Sequence, residues 1–207
     1  MADTKDIIKQ QRMEEYTKLR EELLNEGYTE HNAIISIVKA NIMTFVTALP
    51  FCILFGIIFG ICAPESENSF FDSFFTNYTI MLIAFIISIP VHELLHGAGW
   101  LLSCKNGRKS INFGVIWKYL TPYCHCSEAL KISRYYIGLL TPFIILGILP
   151  CVISIITGSI SFLIFGILSI IGAGGDITIG CLIFRYIGKQ AVLVDHPSEC
   201  GCAVFVK

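Results

Sequence analysis

Residues 77–103 read NYTIMLIAFIISIPVHELLHGAGWLLS, and within them His92-Glu93-Leu94-Leu95-His96 spells H-E-x-x-H inside an apolar run. Residues four apart share one face of a helix, so His92 and His96 can aim both imidazoles at a single ion. Glu93 stands beside them, within reach of a water held by that ion. Two neutral His nitrogens plus an oxygen ligand from elsewhere make a common catalytic zinc shell with one open position. Zinc lowers the pKa of its water to about 7, and Glu93 is placed to take the proton. Chance is the competing explanation. At average His and Glu usage, the pattern arises by accident in fewer than about one in a hundred chains of this length. It is rarer still in a membrane span, where ionisable residues are expensive and tend to be functional.

Pro90 lies two residues before His92; it removes a helical hydrogen bond and predicts a kink. Gly97 and Gly99 let another backbone approach, and Trp100 suits a membrane interface. A span opened in this way offers a buried site with access for water.

Working outward, 54% of the 207 residues are hydrophobic and only 15% charged, and the mean hydropathy is +0.68. A soluble domain of this size is far less apolar. The formal net charge of −1 gives nucleic acid no basic surface to bind. The N-terminus, MADTKDIIKQQ, is too polar for a secretory signal peptide.

Residues 1–40 read as a cytoplasmic, amphipathic helical segment. Ile8, Tyr16, Leu19 and Leu23 recur at helical spacing among charges of both signs. Gly27 suits a C-cap, and Thr29 would cap a second helix over about 30–40. The segment rests on the membrane surface or on the rest of the protein, or else serves as a partner-binding arm. His31 reads as a surface residue.

Residues 41–183 read as a transmembrane core of four helices. The first span, Asn41 to Cys62, is uncharged and some 22 residues long, enough to cross the hydrocarbon core. Pro50, Gly56 and Gly60 interrupt it in ways that membrane helices tolerate. A loop at about 63–76 carries Glu65, Glu67 and Asp72 without Lys or Arg, and Asn77-Tyr78-Thr79 is a formal sequon at the membrane edge. The second span holds the HELLH. The third runs over about 137–157 with Pro142 and Pro150 inside it, and the fourth over about 160–183.

Between the second and third spans, residues 104–136 form a basic loop. Its SINFGVIWKY stretch, Ser110 to Tyr119, is β-branched and aromatic, so it reads as a strand or short hairpin, or as a plain ordered loop. An edge strand beside a protease site can hold an unwound peptide by strand addition.

The fourth span is interrupted by Gly172-Ala173-Gly174-Gly175-Asp176, and Asp176 is its one charge. An acidic residue deep in a membrane helix costs about 2.5–3.5 kcal/mol, so it needs a partner. A bound cation is one; the alternatives are an Asp that caps the broken helix, or a protonated Asp lining a polar cleft.

Lys and Arg are concentrated in the N-terminal segment, the 104–136 loop and the tail 184–207. The positive-inside rule puts both termini and the long loop in the cytoplasm. His92 and His96 then lie 11 and 7 residues before the inner end at about Ser103, and Asp176 lies 7 before that at about Ile183. At helical rise all three sit roughly 10–17 Å below the cytoplasmic surface.

These features, HELLH in one span and an Asp after glycines in a later one, resemble the site-2 protease group of intramembrane zinc metalloproteases. The chain is more closely similar to a small bacterial family of zincin peptidases, over about residues 41–196. The resemblance implies zinc held by His92, His96 and Asp176, with Glu93 as general base and acid. It also implies cleavage of a peptide bond in or near the bilayer. In typical site-2 proteases the third ligand precedes a glycine in Leu-Asp-Gly; here the glycines precede Asp176 and Ile177 follows. A peptide helix protects its own carbonyls, so a substrate must unwind before attack. Candidates for substrate or oxyanion contact are Asn112, His125 and backbone amides near Gly172.

Nine cysteines, an odd number placed mostly in spans or cytoplasm, argue against a disulfide framework. Two Cys-x-Cys pairs, Cys124 with Cys126 and Cys200 with Cys202, can jointly bind a second, structural zinc or remain free thiols. Asp195-His196-Pro197-Ser198-Glu199 can add a polar ligand to either site, or simply turn at the proline.

Two functions compete. One is a membrane-embedded zinc endopeptidase acting on a membrane-associated peptide or protein within the cell membrane. The other is a catalytically inactive zincin-like protein that binds metal or partners.

Overall fold

The computed structural model describes residues 4–64, 78–117 and 121–207. Glu65, Glu67, Asp72, Asn77 and Lys118, which the sequence reading used, lie outside the described residues. Helix α1 spans Thr4–Asn25. It ends as the glycine predicts: Gly27 has φ +85°, and the Tyr28 and Gly27 amides donate to the Leu23 and Leu24 carbonyls.

The second helix expected over 30–40 is a correction. Thr29–Ile35 is strand β1, and helix α2, Ile37–Cys62, starts only after Ser36, whose side chain caps the Lys39 amide. Ala33 and Ile35 are buried at a spacing of two, which a strand uses and a helix does not. Helix α3 is Tyr78–Leu101 and runs through Pro90. Strands β2, Ile111–Ile116, and β3, Thr121–Cys126, form an antiparallel pair where the hairpin was expected.

After the short strand β4, Leu130–Lys131, helix α4, Ile132–Pro142, passes through a π-helical stretch, Phe143–Ile148, into helix α5, Leu149–Thr157. Helices α6, Ile160–Gly172, and α7, Gly174–Ile183, follow. The chain closes with strands β5, Ala191–Asp195, and β6, Cys200–Val206.

The protein is mostly helical, but the all-α expectation needs correcting. Strands β1, β6, β5 and β4 make one antiparallel sheet in that order. Ala33 faces Cys202, Leu193 faces Val204, and Leu130 faces Leu193. The tail's AVLVD and CGCAVFV stretches are β-branched and apolar, and they become strands because each finds an edge to pair with. Segments 1–40 and 184–207, read as separate from one another, are thus joined through β1 and β6.

Three stretches are long and apolar enough to cross a membrane: Val38–Cys62, Ile80–Leu101 and Ile132–Thr157. The pair α6 and α7 meets the same criterion if counted as one span bent by 49°. Within the helices, Ala48, Phe55, Phe143, Cys151, Leu163 and Ile170 pack together. A second core joins helix ends to sheet through Trp100, Tyr135, Leu139, Ile183, Leu193 and Val204. Helix α1 covers the sheet's other face, with Tyr16, Leu19 and Leu23 against Val194, Ala203 and Phe205. Burying Phe205 and Val194 contributes about 1.5–3 kcal/mol each.

Candidate metal centre

Helix α3 places His92 and His96 one turn apart. Their rings lie 4.8 Å apart at an interplanar angle of 77°, and their Nε2 atoms are separated by 3.1 Å. Asp176 arrives from the first turn of α7. Its Oδ2 is 3.1 Å from His92 Nε2 and its Oδ1 3.4 Å from His96 Nε2. Four-coordinate zinc bonds nitrogen and oxygen at about 2.0–2.1 Å, so its ligand atoms stand about 3.3 Å apart. The three donors are spaced for such an ion. Among the described residues, they form the one group of three or more His, Cys, Asp or Glu side chains that can hold a metal ion.

The tautomer of His96 sharpens this fit. Its Nδ1 lies 2.9 Å from the Gly138 carbonyl, which only accepts, so Nδ1 carries the proton. The Nε2 lone pair of a neutral His96 then faces the second imidazole and a carboxylate oxygen. Three electron-rich atoms so close favour positive charge among them, and a divalent cation fits that place.

Close backbone contacts build the two halves. A Cβ on Gly99 would lie 2.6 Å from the Gly138 Cα, so α3 and α4 touch where only glycine fits. Trp100 stacks on His96, with centroids 5.5 Å apart at 16°, and its Nε1–H donates to the Tyr135 carbonyl. On the other half, a Cβ at Gly174 would lie 2.5 Å from the Thr44 carbonyl oxygen. The start of α7 is therefore pressed against α2, and the Gly174 carbonyl accepts the Thr47 and Thr178 hydroxyls, each at 2.8 Å. Of the neighbouring glycines, Gly172 faces open space and Gly175 makes only ordinary contact. Asp176 also gains from the positive end of the α7 dipole.

Glu93 lies in the electrostatic field of His92, His96 and Asp176, with Cys124 of β3 beside it. The hairpin therefore flanks Glu93. Asn112 and His125 face each other across β2 and β3. The buried His125 directs Nδ1 to Asp195 Oδ2 at 3.5 Å, away from the ligand triad.

The four cysteines of the Cys-x-Cys pairs do not assemble with one another into such a group among the described residues. Cys126 instead meets Cys104, sulfur to sulfur at 3.4 Å. Burial pushes the Cys124, Cys126 and Cys202 thiols far above their ordinary range, so they stay neutral. His196 accepts the Ser198 and Glu199 amides within its own turn.

Sequence reasoning missed the Gly138 and Tyr135 carbonyls and the Tyr135 and Trp100 side chains behind them, and it read Asp195 as a possible ligand rather than a partner of Tyr135. Two of these are backbone groups, which no residue letter advertises. The other two are ordinary residues whose partners are distant in the chain.

The family described as "Putative zincin peptidase" matches residues 85–191, a stretch that includes His92, Glu93, His96 and Asp176. No curated protein and no solved structure matches.

Proposed function

Since the chain belongs to the zincin peptidase family, we propose that it is an intramembrane zinc endopeptidase of site-2 protease type. It hydrolyses a peptide bond of a membrane-associated peptide or protein. One observation carries the reading: three donor atoms from two separate apolar helices converge at 3.1–3.4 Å. His92, His96 and Asp176 hold the ion, and Gly138 fixes the His96 ring. Bound zinc supplies Lewis-acid polarisation of a carbonyl and makes water acidic near neutral pH.

The chain's own groups do the rest. Glu93 takes the proton of the attacking water and returns it to the leaving amine. Strand β3 flanks its carboxylate at Cys124. The hairpin next to α3 offers an extended backbone against which an unwound substrate can lie, with Asn112 and His125 as side-chain candidates.

The topology reading is four spans with both termini in the cytoplasm. The distribution of Lys and Arg supports it. The sheet supports it independently. Strands β1 and β6 come from opposite ends of the chain and pair with each other, so an even number of crossings separates them. Three long spans alone would leave them on opposite sides; the bent pair α6 and α7 makes the fourth.

Metal analysis of purified protein, with a comparative membrane proteome of a Glu93→Gln strain, tests the proposal. The expected result is about one zinc per chain, retained in the variant, and small membrane proteins that accumulate uncut. Zinc with identical proteomes would favour the inactive, metal-binding alternative. Absence of zinc would remove the enzyme reading.

A further inference from the structure

We infer that Asp195 is a positioning residue for this centre, one buried carboxylate that braces both the metal-ligand half and the general-base half. The inference rests on the peptidase reading above and extends it to a residue outside the helical core.

Asp195 ends strand β5 and is only 8% exposed. Its two oxygens serve different elements. Oδ1 accepts the Tyr135 hydroxyl at 2.7 Å, and Oδ2 accepts the Cys126 amide at 3.2 Å.

The first contact leads to His96. The Tyr135 carbonyl accepts the Trp100 indole N–H at 3.0 Å, and the indole lies flat on the His96 ring. The same indole fills the space beside Gly138, where a Cβ would collide with it. The Gly138 carbonyl holds His96 Nδ1. Tyr135 and Trp100 are 2% and 3% exposed, so neither ring has room to drift.

The second contact leads to Glu93. Alternate residues of a strand direct their amides to the same edge. The Ser127 amide bonds back to the Ser110 carbonyl, so residues of its parity face β2. Cys126 and Cys124 therefore face the other way. The Cys126 amide goes to Asp195, and Cys124 lies beside Glu93. Pinning Cys126 fixes the height of β3 against α3, and with it the wall that Cys124 places beside the base.

A carboxylate suits this position because both oxygens only accept, and hydrogen bonds to an ionised acceptor are roughly twice as strong as neutral ones. Asparagine can keep the shape, with its carbonyl toward the Cys126 amide and its NH2 toward the tyrosine oxygen. Alanine severs both arms. Phenylalanine at position 135 severs the first arm alone.

The test uses the full chain in detergent, with Asp195→Ala, Asp195→Asn and Tyr135→Phe compared with wild type. Three measurements are made on each, besides the fluorescence of Trp100. They are zinc affinity by chelator competition, the visible spectrum of the cobalt-substituted protein, and metal-free amide exchange at Cys124 and Cys126. Trp100 fluorescence is followed in a Trp117→Phe background. Loss of an outer partner of a ligating histidine costs roughly ten- to a hundred-fold in metal affinity.

The expected pattern is a loss of that size in Asp195→Ala, with an altered cobalt spectrum and faster exchange at Cys124 and Cys126. Asp195→Asn should restore most of it. Tyr135→Phe should weaken zinc and shift Trp100 emission while leaving the β3 amides protected. Wild-type affinity and spectrum in Asp195→Ala would overturn the inference, as would a Tyr135→Phe protein indistinguishable from wild type. If Asp195→Ala does not fold, Tyr135→Phe decides the matter by its own criterion. Wild-type protein that takes up no zinc would sink the peptidase reading instead. The metal-free exchange and fluorescence comparisons would still decide the role of Asp195.

Discussion

Asp176 is separated from His92 by 84 positions, yet its carboxylate sits within 3.4 Å of both imidazoles. Replacing it by alanine leaves two nitrogens and no anionic ligand. Zinc affinity should fall by more than the roughly hundred-fold that loss of an outer partner costs; chelator competition on purified protein measures this, and an unchanged affinity would remove Asp176 from the shell. Outside the spans, Glu128 shows how one carboxylate organises a turn. It accepts the Lys105 and Asn106 amides, each at 2.8 Å, and the Ser110 hydroxyl. Burial alone would raise its pKa, but these donors outweigh burial and hold it below the ordinary 4.5. A carboxyl lowered on folding stabilises the fold above its unfolded pKa. That contribution is lost as pH falls from about 4.5 through the lowered value. Amide exchange at Lys105 and Asn106 should therefore accelerate on acidification, beyond the intrinsic pH effect, and Glu128→Gln should abolish the excess.

At the scale of elements, the site depends on how closely two pairs of helices approach. Helix α7 can present Asp176 only because Gly174 lets its first turn sit on the α2 backbone at Thr44. Gly174→Ala adds a methyl group where there is no room, which costs about 1–3 kcal/mol. It should lower both the thermal midpoint and zinc occupancy. Gly172→Ala, which faces open space, is the control and should be neutral or slightly stabilising. Equal effects of the two substitutions would show that the α2–α7 contact does not set the position of Asp176. The hairpin is the second such element. Phe113 packs on Gly97 of α3 while Cys124 lies beside Glu93, so β2 and β3 lie over the helix turn that carries the site.

For the whole molecule, the four-stranded sheet links both ends of the chain to the loop between α3 and α4. Strand β6 is its hinge, since it pairs with β1 on one side and β5 on the other. Truncation before Cys200 should unpair both and expose Leu23, Val194 and Ala33. Proteolysis within residues 4–36 should then become rapid in detergent while the helical spans stay protected. The same pairing makes a topological statement. Reporters fused to the two termini should read the same side of the membrane, and opposite readings would rule out four crossings.

The sequence alone determined what depends on near neighbours. The i, i+4 pair of histidines, the uncharged runs and the Gly27 helix end are all written within a few turns of chain, where helical and strand periods operate. Asp176 was also legible as an anomaly, because a charge in an apolar run has to be compensated. The tertiary structure decided the rest. Thr29–Ile35 is a strand because β6, some 170 positions away, presents an edge to it. Asp195 is a brace because Tyr135 and Cys126 converge on it from two other elements. Strand pairing and buried hydrogen bonds are satisfied by whichever group the folded chain brings near. Backbone groups such as the Gly138 carbonyl, which aims His96, are the same at every position of the sequence and acquire a role only through their place in space.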